Sequence, residues 1–162
     1  MGTMPGVQLG DVVARSAAKL TRRAQRPNLD LRAYYEDGGR RFRHVPESDP
    51  IELVRVGLVF RLMPAGVGPA VLDVGCGAAN MAHHLRHYGR VSGVDSNPKP
   101  LEVAHRRGLD AVLGSAEELP FAGGTFDLVA LLDTIEHVPG EARVLSECRR
   151  VLRPGGKLLV TV

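Results

Sequence analysis

The sequence predicts an open α/β sheet in which parallel strands are joined by helical crossovers and helices cover both faces. Three observations carry this reading. From Ala70 onward, short apolar runs alternate with helical ones; a glycine-rich turn, LDVGCGAAN (72–80), follows the first run; and an acid, Asp95, closes the second run twenty residues after Gly75. Alternation of this kind gives parallel strands, because two parallel neighbours need a long connection over one face of the sheet.

The elements follow in order. Leu9, Val12, Val13, Ala17, Leu20 and Ala24 recur at helical spacing, while Asp11, Arg15, Lys19, Arg22, Arg23 and Arg26 fill the other positions. Residues 9–24 therefore read as an amphipathic helix with a basic outer face, which is either solvated, suited to an acidic surface, or part of a tail outside the fold. Pro27 stops it, and 36–50 (EDGGRRFRHVPESDP) reads as loop. Asp49 and Pro50 open a second helix as cap and first-turn proline, with Ile51, Val54, Leu58 and Leu62 as its apolar stripe and Pro64 as its end. Segment 1–49 is thus a helical and loop cap in front of one domain, 50–162.

Strands are expected at 70–74, 90–94, 110–113, 126–132 and 157–162, with helices starting near Ala79, Pro98 and Gly140. In the last helix Val144, Leu145, Cys148, Val151 and Leu152 form one stripe, and RPGG (153–156) ends it. Cys148 inside that stripe reads as a core thiol.

Composition narrows the function. At 162 residues and 44% hydrophobic, the chain suits one core. Cys76 and Cys148 lie far apart, with no ligand spacing around them, so neither a disulfide framework nor a metal site is expected. Segment 1–49 holds nine Lys/Arg against six Asp/Glu, which accounts for the whole net charge of +3. No strong basic stripe marks a nucleic-acid binder. With no apolar run long enough to span a bilayer and no signal pattern at the start, the expected location is the cytoplasm.

Gly75 and Gly77 stand just past the first strand, where open α/β sheets bind ligands and where glycine lets a ligand approach the backbone. The spacing Gly75-x-Gly77-x-x-Asn80, with Asp95 beyond, approximates a dinucleotide fingerprint, but Asn80 replaces the third glycine. The alternatives are a purely structural turn and an Asp95 that only caps the next helix.

Five segments in register, VLDVGCG (71–77), VSGVDSNP (91–98), GSAEELPF (114–121), FDLVALLDTIEHV (126–138) and RVLRPGGKLLVTV (150–162), resemble the class I S-adenosylmethionine-dependent methyltransferases of the small-molecule type. The resemblance implies a Rossmann-like fold and S-adenosyl-L-methionine as cofactor. It implies that Asp73, Gly75, Cys76 and Gly77 meet the methionine end and that Asp95 takes both ribose hydroxyls. Ser96 and Asn97 would lie along the adenine edge. Ser115 and Ala116 would meet the adenine amino group and ring nitrogens, with Ser115 standing where the family usually has Asp. Ala79 occupies the third glycine position of the family's loop, which would put one methyl group near the methionine end. Asp133 would touch the methionine part or line the acceptor pocket.

In the same segment His137 is the candidate general base, and the alternative is that Glu136 and His137 only fix the turn. Glu117 and Glu118 read as a solvated acidic turn, and Tyr34 and Tyr35 as an aromatic lid or as packing for the first helix. The expected acceptor is a small molecule or a lipid-linked metabolite. Rival readings are a cofactor-binding fragment without turnover and an NAD-dependent oxidoreductase. The resemblance also implies an antiparallel strand pair after the fifth strand. Its absence by Val162 leads to the expectation of a truncated chain whose fifth strand offers an exposed edge for self-association.

Overall fold

The structure, a computed structural model, describes Val13–Ala14, 50–63 and 68–162. Its elements are β1 (Val13–Ala14), α1 (Pro50–Leu62), β2 (Ala70–Val74), α2 (Asn80–Leu85), β3 (Arg90–Asp95), α3 (Pro98–Arg106), β4 (Asp110–Leu113), β5 (Phe126–Leu132), α4 (Glu141–Val151) and β6 (Leu152–Thr161). A single 3-10 turn, Ile135–His137, follows β5. Strand order is β1-β6-β5-β2-β3-β4, and every pair is parallel.

The central strands β2 and β5 are nearly continuous apolar runs because both faces of the sheet are covered there. Alternate residues of one strand enter different cores. Val71, Leu128, Ala130 and Leu132 pack with Met81, Ala82 and Leu85 of α2 and Leu101 and Ala104 of α3. Leu72, Val74, Val129 and Leu131 pack with Val144, Cys148 and Val151 of α4. Helix α1 joins the first of these layers through Val59, with Val56, Leu62 and Met63 beside it. Val59 is absent from the stripe expected for α1, whereas Leu62 is part of it.

From Pro50 onward the expected strands and helices are present, with β6 beginning earlier than expected. Its first residue, Leu152, pairs with Phe126, and the register then shifts before Lys157 pairs with Leu128. Arg153 spans that irregular stretch by placing Nη1 2.9 Å from both carboxylate oxygens of Asp127, whose Oδ2 also accepts from the Ala70 amide at 3.0 Å. These two partners hold the Asp127 carboxyl below its ordinary value, the backbone amide contributing most.

Two expectations need correction. Val13 and Ala14 are extended, pairing with Val160 and Thr161, and not helical. An unfilled sheet edge rewards extended backbone with hydrogen bonds, which overrides a helical apolar period at these residues. The edge of β6 is therefore partnered at Val160 and Thr161 and is not wholly exposed. The rest of the expected amphipathic helix, the loop at 36–49, and Tyr34 and Tyr35 lie outside the described residues.

Candidate active site

Strands β2 and β5 are neighbours, yet the chain leaves β2 toward β3 and leaves β5 toward β6, in opposite directions across the sheet. The crevice at the carboxyl ends of two such strands is where this architecture holds ligands. A cavity of about 700 Å³ occupies it.

The loop after β2 turns on Gly75 (φ 77°) and Gly77 (φ 51°). A Cβ built on Gly75 would lie 2.3 Å from Thr134 Oγ1, so space as well as conformation demands glycine there. At Gly77 a Cβ would meet nothing within 4 Å, and only the left-handed backbone favours glycine. Ala79 also has a positive φ, 66°, at a cost of about 1 kcal/mol for a residue with a Cβ. Its side chain is buried in the core and is not part of the cavity wall, which corrects the expectation of a methyl group near the methionine end.

The loop is braced from β3. Gly75 N and Cys76 N donate to Val94 O at 2.8 and 3.1 Å, and Ala79 N donates to Cys76 O at 2.9 Å. Gly77 N donates to Asp95 Oδ2 at 2.8 Å. The other oxygen of Asp95 accepts from Asn97 N, also at 2.8 Å, while Asn97 Oδ1 accepts from Lys99 N at 3.0 Å and caps α3. Asn97, not Asp95, is thus the helix cap. Each carboxylate oxygen of Asp95 has a second lone-pair direction, so both can accept again from a ligand. Burial, reinforced by the charges of Asp73 and Asp95, pushes the Cys76 thiol well above the usual thiol range. Cys76 is therefore a neutral wall residue and not a nucleophile.

Beyond β4, Ser115 Oγ accepts from Glu117 N at 3.1 Å, which ties the hydroxyl into its own turn. That segment is clamped from α4. Glu147 accepts from Leu119 N at 2.9 Å and from Arg150 Nε and Nη2 at 2.7 Å each. Arg150 also donates to Phe121 O at 2.8 Å and Leu119 O at 2.9 Å, and Arg143 donates to Glu117 O at 3.0 Å. Arg150 above all holds the Glu147 carboxyl down to about 2. Sequence reading missed Glu147, although a charge within the apolar stripe Val144–Cys148–Val151 was the available signal.

At the end of β5, Asp133 is held in a left-handed conformation, φ 49°. Its amide donates to Thr161 O and Oγ1, both at 3.1 Å, and the Thr161 hydroxyl donates to Asp133 Oδ1 at 2.7 Å. Thr134 Oγ1 reaches Val74 O at 3.2 Å and Leu132 O at 3.0 Å, bridging β5 to β2. His137 and Glu136 follow on the exposed 3-10 turn.

The candidate cofactor-binding residues and the candidate base border this cavity, whereas Ala79, Glu118 and Glu136 do not. Asp73, Gly75, Cys76 and Gly77 form its floor, and Asp95, Ser96, Asn97, Ser115 and Ala116 lie toward β3 and β4, opposite Asp133 and His137. Among its lining residues are four carboxylates, those of Asp73, Asp95, Glu117 and Asp133, and no Lys or Arg. Such a wall suits a ligand that brings positive charge and hydroxyl donors. Among the described residues no group of three or more His, Cys, Asp or Glu could hold a metal ion, and no helix is long and apolar enough to cross a membrane.

Residues 72–160 match the family model described as methyltransferase domain. The chain belongs to this methyltransferase family. It is 33% identical over 159 residues to a ubiquinone biosynthesis O-methyltransferase of Thiobacillus denitrificans, covering 91% of this chain and 62% of that protein. Among solved structures, a SAM-dependent methyltransferase from Thermotoga maritima superposes with a TM-score of 0.60 at 30% identity, over 67% of this chain and 49% of that one. An N-methyltransferase of Haemonchus contortus, solved with phosphomonomethylethanolamine and S-adenosylhomocysteine, gives a TM-score of 0.60 at 28% identity, over 67% of this chain and 27% of that one. The methyltransferase chain thus spans less than two thirds of the length of each of these relatives.

Proposed function

We propose that the chain binds S-adenosyl-L-methionine in this cavity and takes part in methyl transfer to a small-molecule or lipid-linked metabolite. The observation that carries the reading is Asp95. Two backbone amides fix its carboxylate on the cavity wall beside the glycine loop, where it can accept from a ribose diol. Membership of the methyltransferase family supports it, as do the names of the relatives, which include ubiquinone biosynthesis and phosphomonomethylethanolamine.

The residues fit the cofactor. Asp73 and the loop carbonyls at Gly75 and Gly77 would receive the ammonium group, with Cys76 as a neutral neighbour, while Ser96, Asn97 and Ala116 would flank the adenine. Ser115, whose oxygen already accepts locally, would reach the adenine through its hydroxyl proton. The cofactor supplies an electrophilic methyl group, so the chain needs no nucleophile of its own. Its residues orient the ligand and exclude water, and Asp133 would line the junction between methionine and acceptor. His137, exposed at that end of the cavity, would act as general base for an oxygen or nitrogen acceptor.

An NAD site fits less well. Pyrophosphates take hydrogen bonds from the loop amides, and those of Gly75, Cys76, Gly77 and Ala79 are already used within the chain. Any self-association through the edge of β6 would use its residues before Val160, because β1 already pairs with Val160 and Thr161. Calorimetric titration with S-adenosylhomocysteine and NAD tests the cofactor, with binding of the first alone expected. Tight NAD binding without S-adenosylhomocysteine binding would overturn the reading. A turnover assay with a metabolite panel then separates an active transferase from a binding fragment.

A further inference from the structure

We infer that Asn80, oriented by Arg107, donates a hydrogen bond to the carboxylate at the amino-acid end of the ligand, an inference that rests on the cofactor assignment above. Asn80 is the residue that breaks the dinucleotide spacing, and the structure shows what it does instead. Arg107, at the carboxyl-terminal end of α3, donates through Nη1 to Ala78 O at 2.8 Å and to Asn80 Oδ1. A guanidinium has no acceptor, so the amide atom facing it must be the oxygen. The rotamer is thereby decided, and the NH2 group of Asn80 is left to donate to a further partner. Asn80 borders the cavity beside Gly77 and Ala78.

This donor is useful because so many of the loop amides are already committed. The amides of Gly75, Cys76, Gly77 and Ala79 all donate within the chain. The Thr134 hydroxyl, on the opposite wall, is committed to Val74 O and Leu132 O. No Lys or Arg lines the cavity, while four carboxylates do. A ligand carboxylate placed here meets repulsion on most sides and requires a donor near the loop. Asn80 supplies one, and the bond from the Arg107 cation polarises the amide and strengthens its NH2 as a donor. Arg107 brings positive charge close to the ligand carboxylate without entering the cavity wall. The donor is a side-chain amide and does not depend on the end of the short helix α2.

Two ligands separate this role from general support of the loop. S-adenosylhomocysteine carries the amino-acid end, and 5′-methylthioadenosine lacks it. For the 162-residue chain, Asn80→Ala is expected to weaken S-adenosylhomocysteine binding about tenfold, the effect of one charge-assisted hydrogen bond, and to change 5′-methylthioadenosine binding by less than about twofold. Arg107→Met is expected to show the same selective loss. Asn80→Asp keeps a partner for Arg107 but adds a fifth carboxylate, so its loss for S-adenosylhomocysteine should exceed that of Asn80→Ala. Equal losses for both ligands, or unchanged S-adenosylhomocysteine affinity in Asn80→Ala and Asn80→Asp, would overturn the inference. A wild-type chain that binds neither ligand would instead remove the cofactor assignment beneath it.

Discussion

The carboxylate of Asp95 holds the amide of Gly77 at 2.8 Å, across the gap between the end of β3 and the loop after β2. One side chain therefore shapes the loop and also faces the cavity. Asp95→Ala removes both functions. It should weaken S-adenosylhomocysteine binding by about 1.5 to 3 kcal/mol, the range for charged hydrogen bonds, and lower the melting temperature because the loop loses its brace. Calorimetry and thermal melts on the purified variant check both effects; full affinity would rule out the ribose-binding role.

The loop glycines should respond differently to substitution. Gly75→Ala meets Thr134 in space as well as a positive φ, and is expected to cost about 2 to 4 kcal/mol. Gly77→Ala meets only the conformational cost, about 1 kcal/mol. Gly77→Val should leave the fold recognisable while abolishing S-adenosylhomocysteine binding, since its branched side chain enters the open space of the cavity. Denaturant melts give the stability order, and Gly77→Ala proving more damaging than Gly75→Ala would contradict the structure.

Thr161 is the anchor that keeps Asp133 in its left-handed conformation. Thr161→Val preserves shape but deletes the 2.7 Å bond to Oδ1 and one of the two acceptors of the Asp133 amide, leaving the backbone carbonyl of residue 161 as the other. A loss of about 1 to 2 kcal/mol in stability is expected, with Thr161→Ser close to wild type. Chemical denaturation of the three proteins tests this, and identical midpoints for all three would dismiss the anchor.

Acid should loosen the wall that carries Ser115 and Ala116. Glu147 has an ordinary value of 4.5 and is held down to about 2 in the folded chain, chiefly by Arg150. A depressed carboxyl stabilises the fold fully above its ordinary value, and the contribution fades as pH falls through the folded value. Melting temperature should therefore decline as pH drops from about 5 toward 2, and Glu147→Gln should flatten part of that slope. An identical pH profile in the variant would mean that other groups govern the acid response.

Much of the site was legible before the fold. Glycine before a helix and acid after a strand are local signals, because turn conformation and strand ends are set by neighbouring residues. The partners of those residues were not legible. Glu147 lies 28 positions from the Leu119 amide it accepts from, and Thr161 lies 28 positions from Asp133. No periodic pattern announces a bond between residues so separated, since it depends on which elements the sheet brings together.

Sequence alone determined the alternation of strands and helices and the glycine turn with Asp95 beyond it, because side-chain period and turn chemistry are properties of short segments, while the resemblance to methyltransferases supplied most of the other candidate residues. Tertiary structure alone decided the rest. Pairing along an open edge drew Val13 and Ala14 out of a helical pattern, and packing buried the Ala79 methyl in the core. Arg107, at the far end of α3, fixed the amide of Asn80, and the amides of Gly75 and Gly77 turned inward to Val94 and Asp95. Each outcome depends on satisfying a backbone or polar group with a partner distant in sequence, and only the folded chain brings that partner within reach.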